Sequence, residues 1–248
     1  MGIKFKNFFK SIFNKENILY TLIVVIGCAV IITNRAIAGF KNILWIADFG
    51  SIFGIIYIVF KAKHNIFEFI LNICSTIFLS VTSIMQHLWL TGAICVIVSI
   101  PCQIMGIVNW IRNKKNDETK NLQKLSKKVL LILCGVCLAL AAGFAGLLWY
   151  LDGTLFYLDA IYSATCLIGI ILASRCYIDQ FYFFIPCNAL GMVMYGILCA
   201  QNINNLPLAL LNLVFTITTI LGYFNWRKLI KKQNEEIKAK EIENSKTN

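Results

Sequence analysis

Polar and apolar positions along the chain sort into eight long apolar runs, at 18–38, 43–60, 66–84, 88–111, 129–151, 155–174, 181–200 and 206–226, separated by short polar segments. A run of about 20 apolar residues spans a hydrocarbon core of roughly 30 Å when helical. The runs are continuously apolar and lack the alternation of a lipid-facing strand, so they predict helices rather than a barrel. The expected fold class is all-α, a polytopic membrane protein. The polar remainder, namely the first 17 residues, the stretch 112–128 and the tail 227–248, is too short to form a domain of its own, and the Lys/Glu mixture of the tail suits a helical extension.

The pattern also repeats. Gly106-Ile107-Val108-Asn109-Trp110 returns 116 residues later as Gly222-Tyr223-Phe224-Asn225-Trp226, each at the end of an apolar run and followed by basic side chains. The same offset carries Asn72 onto Asn188. Duplication inside membrane spans, with amides at matching positions, is how many solute carriers are built, since the substrate site lies between the repeats. Each repeat holds three runs, and three crossings would invert a directly linked copy. The run 129–151 restores the direction, so the two repeats are expected to be parallel. The expected organisation is 1–42, an N-terminus with one extra transmembrane helix; 43–111, the first three-helix repeat; 112–154, a basic linker and inversion helix; 155–226, the second repeat; and 227–248, a basic tail. This is a 3+1+3 arrangement with one additional helix in front.

Composition adds location. At 58% hydrophobic and 14% charged residues, with mean hydropathy +0.73, the chain carries more apolar surface than a soluble core of its size could hide. A net charge of +11 would suggest nucleic acid, but alternating the eight spans across a bilayer puts 21 of the 23 Lys and Arg on one side, leaving Arg35 and Lys41 on the other. The positive-inside rule then places both termini and the linker in the cytoplasm, so no nucleic-acid partner is implied. The first run has a competing reading as a signal peptide, because basic residues precede it and Ala36-Ile37-Ala38 resembles a cleavage site. Its apolar length and the adjacent Arg35 favour a retained span.

The ten cysteines fall within or at the edge of apolar runs, and Cys134-x-x-Cys137 has no second pair or histidine beside it. Neither a disulfide, a metal nor another cofactor is expected. Trp45, Trp89, Trp149, Trp110 and Trp226 sit at run ends, as interfacial anchors do. Asp48, Asp159 and Glu68 enter the spans close enough to an interface to reach water, with ion coupling as the alternative reading. No nucleophile elbow, phosphate loop or paired carboxylates point to an enzyme.

Polar side chains inside the runs mark the candidate site. On a helix, Phe181, Phe184, Asn188 and Tyr195 fall within an arc of about 60°. A second stripe joins Asn212, Phe215, Thr216, Thr219 and Gly222. Buried amides need partners, and either a polar substrate or a neighbouring helix can provide them. The site residues expected to touch substrate are Phe181, Phe184, Asn188, Tyr195, Asn212, Phe215, Thr219 and, from the first repeat, Asn72. Asn109, Trp110, Asn225 and Trp226 are expected to gate or to stiffen the structure.

Tyr157-Leu158-Asp159-Ala160, the 179–195 helix and the closing Gly222-Tyr223-Phe224-Asn225-Trp226 resemble the PnuC family of bacterial vitamin transporters, over most of residues 40–228. That resemblance implies the three-one-three fold of SWEET sugar carriers, residence in the bacterial inner membrane, often as a trimer, and facilitated diffusion of nicotinamide riboside drawn by its phosphorylation inside the cell. Family members selective for that nucleoside tend to carry Trp-x-x-Trp and Asn-x-x-Tyr where this chain has Phe181-x-x-Phe184 and Asn212-x-x-Phe215. The asparagine stays and three rings change, so thiamine, riboflavin and other nucleosides remain alternative cargoes. A vitamin-capturing subunit of an ATP-driven importer and a non-transporting scaffold or sensor are further alternatives.

Overall fold

The computed structural model describes residues 15–38, 45–62, 66–116, 124–175 and 177–247, and these form eight helices. Helix α1 is Lys15–Ala38, α2 Trp45–Ala62 and α3 Phe67–Met85. Helix α4 consists of Trp89–Ile94 and Ile100–Asn116, joined by a π-helical turn at Cys95–Ser99. Helices α5 (Lys127–Tyr150), α6 (Phe156–Ser174), α7 (Phe181–Gln201) and α8 (Leu206–Thr247) complete the chain. The fold is all-helical over the described residues. Six helices, α3 to α8, are long and apolar enough to cross a membrane, whereas α1 and α2 contribute shorter apolar stretches, Val24–Ala36 and Trp45–Ile58.

One helix extends as its composition suggests, and one carries a turn the apolar pattern does not show. The α8 helix runs on to Thr247 without a break at Trp226, because the tail has no Gly or Pro and is rich in Lys and Glu, both good helix formers. The π turn in α4 lies just before Pro101, which cannot donate to the carbonyl four residues back and crowds it, so the ladder widens ahead of it.

Neighbouring helices pack in a reciprocal pattern. Within 45–116, α2 lies along α3 and α3 along α4; within 156–247, α6 lies along α7 and α7 along α8. Between these two halves, α2 packs on α8 and α4 packs on α6. Helix α1 rests on α2 and α8, and α5 rests mainly on α6. The bundle has a basic end, where α4 finishes and α5 starts, and a sparsely charged end, where α1 finishes and α2 starts.

Arg35 and the first-helix carboxylates do not reach water as expected. Arg35 (4% exposed) pairs through Nε with Asp48 (6% exposed) and lies 3.5 Å from Asn204 Oδ1 through NH1. Asp159 is fully buried, its Oδ1 accepting from Thr91 Oγ1 (2.5 Å), Thr91 N–H (3.1 Å) and Ser163 Oγ (3.0 Å). Both carboxylates sit one turn inside their helices and face neighbouring helices rather than the bundle surface.

Candidate functional site

The α7 stripe faces α8 and α6. Asn188 donates from Nδ2 to Thr219 Oγ1 at 2.9 Å, which leaves the Thr219 proton free for another acceptor. One helical turn further on, Gly191 opens the wall. A Cβ at that position would collide with Asn212 Oδ1 and stand 2.8 Å from the Tyr162 ring, so only glycine lets α7 approach this closely. Asn212, 4% exposed, donates to the Leu208 carbonyl of its own helix at 2.9 Å. Its Oδ1 has no donor among the described residues. A buried amide carbonyl without a donor is unfavourable by about 1–3 kcal/mol. It lies beside Gly191 and Tyr162, on the same side of α7 as the Asn188–Thr219 pair.

The aromatic members flank this polar centre. Phe181 is buried against Tyr223 (5.9 Å between centroids) and Trp226 (5.4 Å), both edge-on, towards the basic end. Phe184 packs on α6, where Gly169 gives its ring room. Phe215 meets Tyr57 of α2 edge-on at 5.7 Å, which brings a ring of the first half to the second. Tyr195 sits towards the sparsely charged end, its hydroxyl 3.3 Å from Ser83 Oγ of α3.

The first half contributes less to the hydrogen bonding. Asn72 is half-buried, and its side chain makes no hydrogen bond among the described residues. Asn225 is exposed and Trp226 meets Phe181 edge-on, whereas the side chains of Asn109 and Trp110 lie outside the described residues. Sequence reasoning missed Tyr162, Gly191 and Ser83, which are ordinary residues until the helices pack.

Charge is held away from this centre. Arg35 is committed to Asp48 at one end, and Arg227 lies over the Tyr223 ring, 5.7 Å from its centroid, at the other. A shallow groove of about 330 Å³ between α1 and α8, lined by Ala29, Val30, Thr33, Asn34 and Leu206, is separate from the amide stripe.

An all-helical polytopic bundle with buried amides and rings gathered between α6, α7 and α8 has the make-up of a membrane carrier. A sequence model of the nicotinamide mononucleotide transporter family matches residues 44–228, three quarters of the chain, and the chain belongs to that family. It is 24% identical over 197 residues to the nicotinamide riboside transporter PnuC of Neisseria mucosa, covering 77% of this chain and 74% of that protein. A crystal structure of the vitamin B3 transporter PnuC superposes with a TM-score of 0.69 at 20% identity, over 86% of this chain and 92% of that one. The protein is thus a multi-pass membrane transporter of the PnuC type.

Proposed function

We propose that this protein carries nicotinamide riboside across the bacterial inner membrane by facilitated diffusion, with the basic end and both termini in the cytoplasm. The observation that carries the reading is the buried, donorless Asn212 Oδ1 beside Gly191, next to the Asn188–Thr219 pair. A carboxamide NH₂ would satisfy that carbonyl, while ribose hydroxyls would use Asn188 and Thr219. Phe181 and Phe184 supply ring faces for the pyridinium, and Tyr195, Phe215 and Asn72 close the remaining sides.

Charge selects the nucleoside over its phosphate. A phosphate dianion in a site of low dielectric needs a cation, and the described arginines nearest the stripe are those already engaged with Asp48 and Tyr223. The relatives named for the mononucleotide and for the riboside therefore differ in the group this site is least equipped to bind.

The reciprocal packing, α2 on α8 and α4 on α6, supports two parallel repeats around a central axis, 43–111 and 155–226, joined by 112–154. Rocking of one repeat against the other would expose the site alternately to each side. No step requires ATP in this chain; phosphorylation of the nucleoside inside the cell would draw net uptake.

Purified protein in liposomes tests the reading. Labelled nicotinamide riboside should enter without ATP, saturably, and its 5′-phosphate should neither enter nor compete. Binding without flux would identify a capture subunit, neither binding nor flux a scaffold or sensor, and preferred uptake of thiamine or riboflavin another vitamin carrier.

A further inference from the structure

The two halves are joined differently at the two ends of the bundle. At the sparsely charged end, three pairs cross between them: Ser83 with Tyr195 (3.3 Å), Gln86 Nε2 with Asn205 Oδ1 (2.5 Å) and Thr91 with Asp159 (2.5 Å). A backbone bond from Thr154 N–H, just before α6, to the His87 carbonyl adds a tie at 3.2 Å. Around these pairs packs a buried cluster of Ala47, Leu88, Met194, Tyr195, Leu198 and Leu208, drawn from both halves. At the basic end, by contrast, the hydrogen bonds between the Tyr182 and Tyr223 hydroxyls and from Leu125 N–H to Asp179, among the described residues, stay within the second half and its linker.

We propose that Ser83–Tyr195, Gln86–Asn205 and Thr91–Asp159 form a polar latch over the site, closed in this structure, which must part for cargo to reach the amides from the sparsely charged side. The inference rests on the carrier reading above and assigns Tyr195 to the gate rather than to the cargo.

Its chemistry suits repeated opening. All three pairs are neutral hydrogen bonds or carboxylate–hydroxyl bonds, whose partners water replaces on separation. Closure also leaves Gln86 Oε1, Asp159 Oδ2 and Trp89 Nε1 buried without partners among the described residues. Water entering an open gate would satisfy these three groups, which offsets part of the loss of the cross-half bonds. The apolar cluster around it opposes opening, so the latch is balanced rather than locked.

A disulfide across the latch tests it. Gln86→Cys with Asn205→Cys, oxidised and verified by the mass of the linked peptides, should reduce liposome flux of labelled nicotinamide riboside at least tenfold. Binding by the same protein in detergent should persist, and reductant should restore flux. Full flux in the linked protein would overturn the latch, because the ends would then stay together throughout transport. Should the linked variant misassemble, Gln86→Leu with Thr91→Val provides the second arm. Loosening should raise labelling of the buried Cys187 by an impermeant maleimide severalfold, from the side of the sparsely charged end only; unchanged labelling would overturn the proposal. A wild-type protein that moves no nucleoside sinks the carrier reading instead, and the labelling arm still reports on whether the gate exists.

Discussion

The first helices of the two halves each carry a carboxylate near the sparsely charged end, and the two are accommodated in different ways. Asp48 on α2 meets the guanidinium of Arg35 from α1. Asp159 on α6 pairs with no lysine or arginine among the described residues, and its Oδ1 collects Thr91 and Ser163 hydroxyls and the Thr91 N–H instead. The difference traces to the helix each one faces. Against α6, α4 offers Thr91 one turn from its start; against α2, α8 opens Leu206-Pro207-Leu208, with no hydroxyl and, at Pro207, no N–H. Helix α1 supplies from outside the repeats the donor that α8 lacks. The extra N-terminal helix thus compensates for a difference between the two halves, as well as covering apolar surface.

The largest expected effect comes from breaking that compensation. Arg35→Ala should lower stability by about 3–5 kcal/mol, since it leaves a buried carboxylate without its cation, and adding Asp48→Asn should recover most of the loss. Asp159→Asn keeps an acceptor at Oδ1 and should be milder, at about 1–2 kcal/mol. Thermal unfolding of purified protein in detergent measures both. Equal losses for Arg35→Ala and Asp159→Asn would mean that the two carboxylates are not accommodated differently after all.

A second contrast concerns the amides. Asn212→Leu and Asn188→Leu should each weaken nicotinamide riboside binding on the order of tenfold to a hundredfold, the span of one lost buried hydrogen bond, with the protein still monodisperse. Asn72→Leu removes a side chain that holds no partner in this structure and should weaken binding less. Isothermal titration of the three variants sharpens the comparison, and a larger effect at Asn72 would move the site towards the first half.

The glycines at the end of each repeat offer a third. A Cβ at Gly106 would stand only 2.3 Å from the Phe69 ring, whereas a Cβ at Gly222 would stand 3.2 Å from the Phe181 ring edge. Gly106→Ala is therefore expected to destabilise by about 1–3 kcal/mol through overpacking, and Gly222→Ala by less than about 1 kcal/mol. Smallest of all should be Gly135→Ala and Gly143→Ala on α5, where a Cβ meets nothing within 4 Å. Those changes should stay within about 0.5 kcal/mol, and a larger shift in either would reveal a contact on that face of α5.

Much of the fold was legible because a bilayer imposes a simple rule: each span must be long, apolar and helical. Hence the runs at 66–84, 88–111, 129–151, 155–174, 181–200 and 206–226 reappear within α3 to α8, with α8 continuing past its run to Thr247. The aromatic and amide stripe on α7 was legible for the same reason, since an asparagine stands out against 20 apolar neighbours. Helix identity says nothing, however, about which neighbour a side chain meets. Arg35 stood out in the sequence only as one of two cations on the sparsely charged side, and it is half of a buried pair.

The sequence by itself determined the apolar helices and the short set of polar residues available for a site. These follow from local composition and spacing, which lipid constrains residue by residue. Only the tertiary structure decided the partners: that Asn188 pairs with Thr219, that Gly191 yields room to Asn212 and leaves its carbonyl without a donor, and that Asp159 takes hydroxyls where Asp48 takes a guanidinium. A hydrogen bond depends on the rotation and depth of two helices at once, and those are set by side-chain packing between separate helices, which no local pattern encodes.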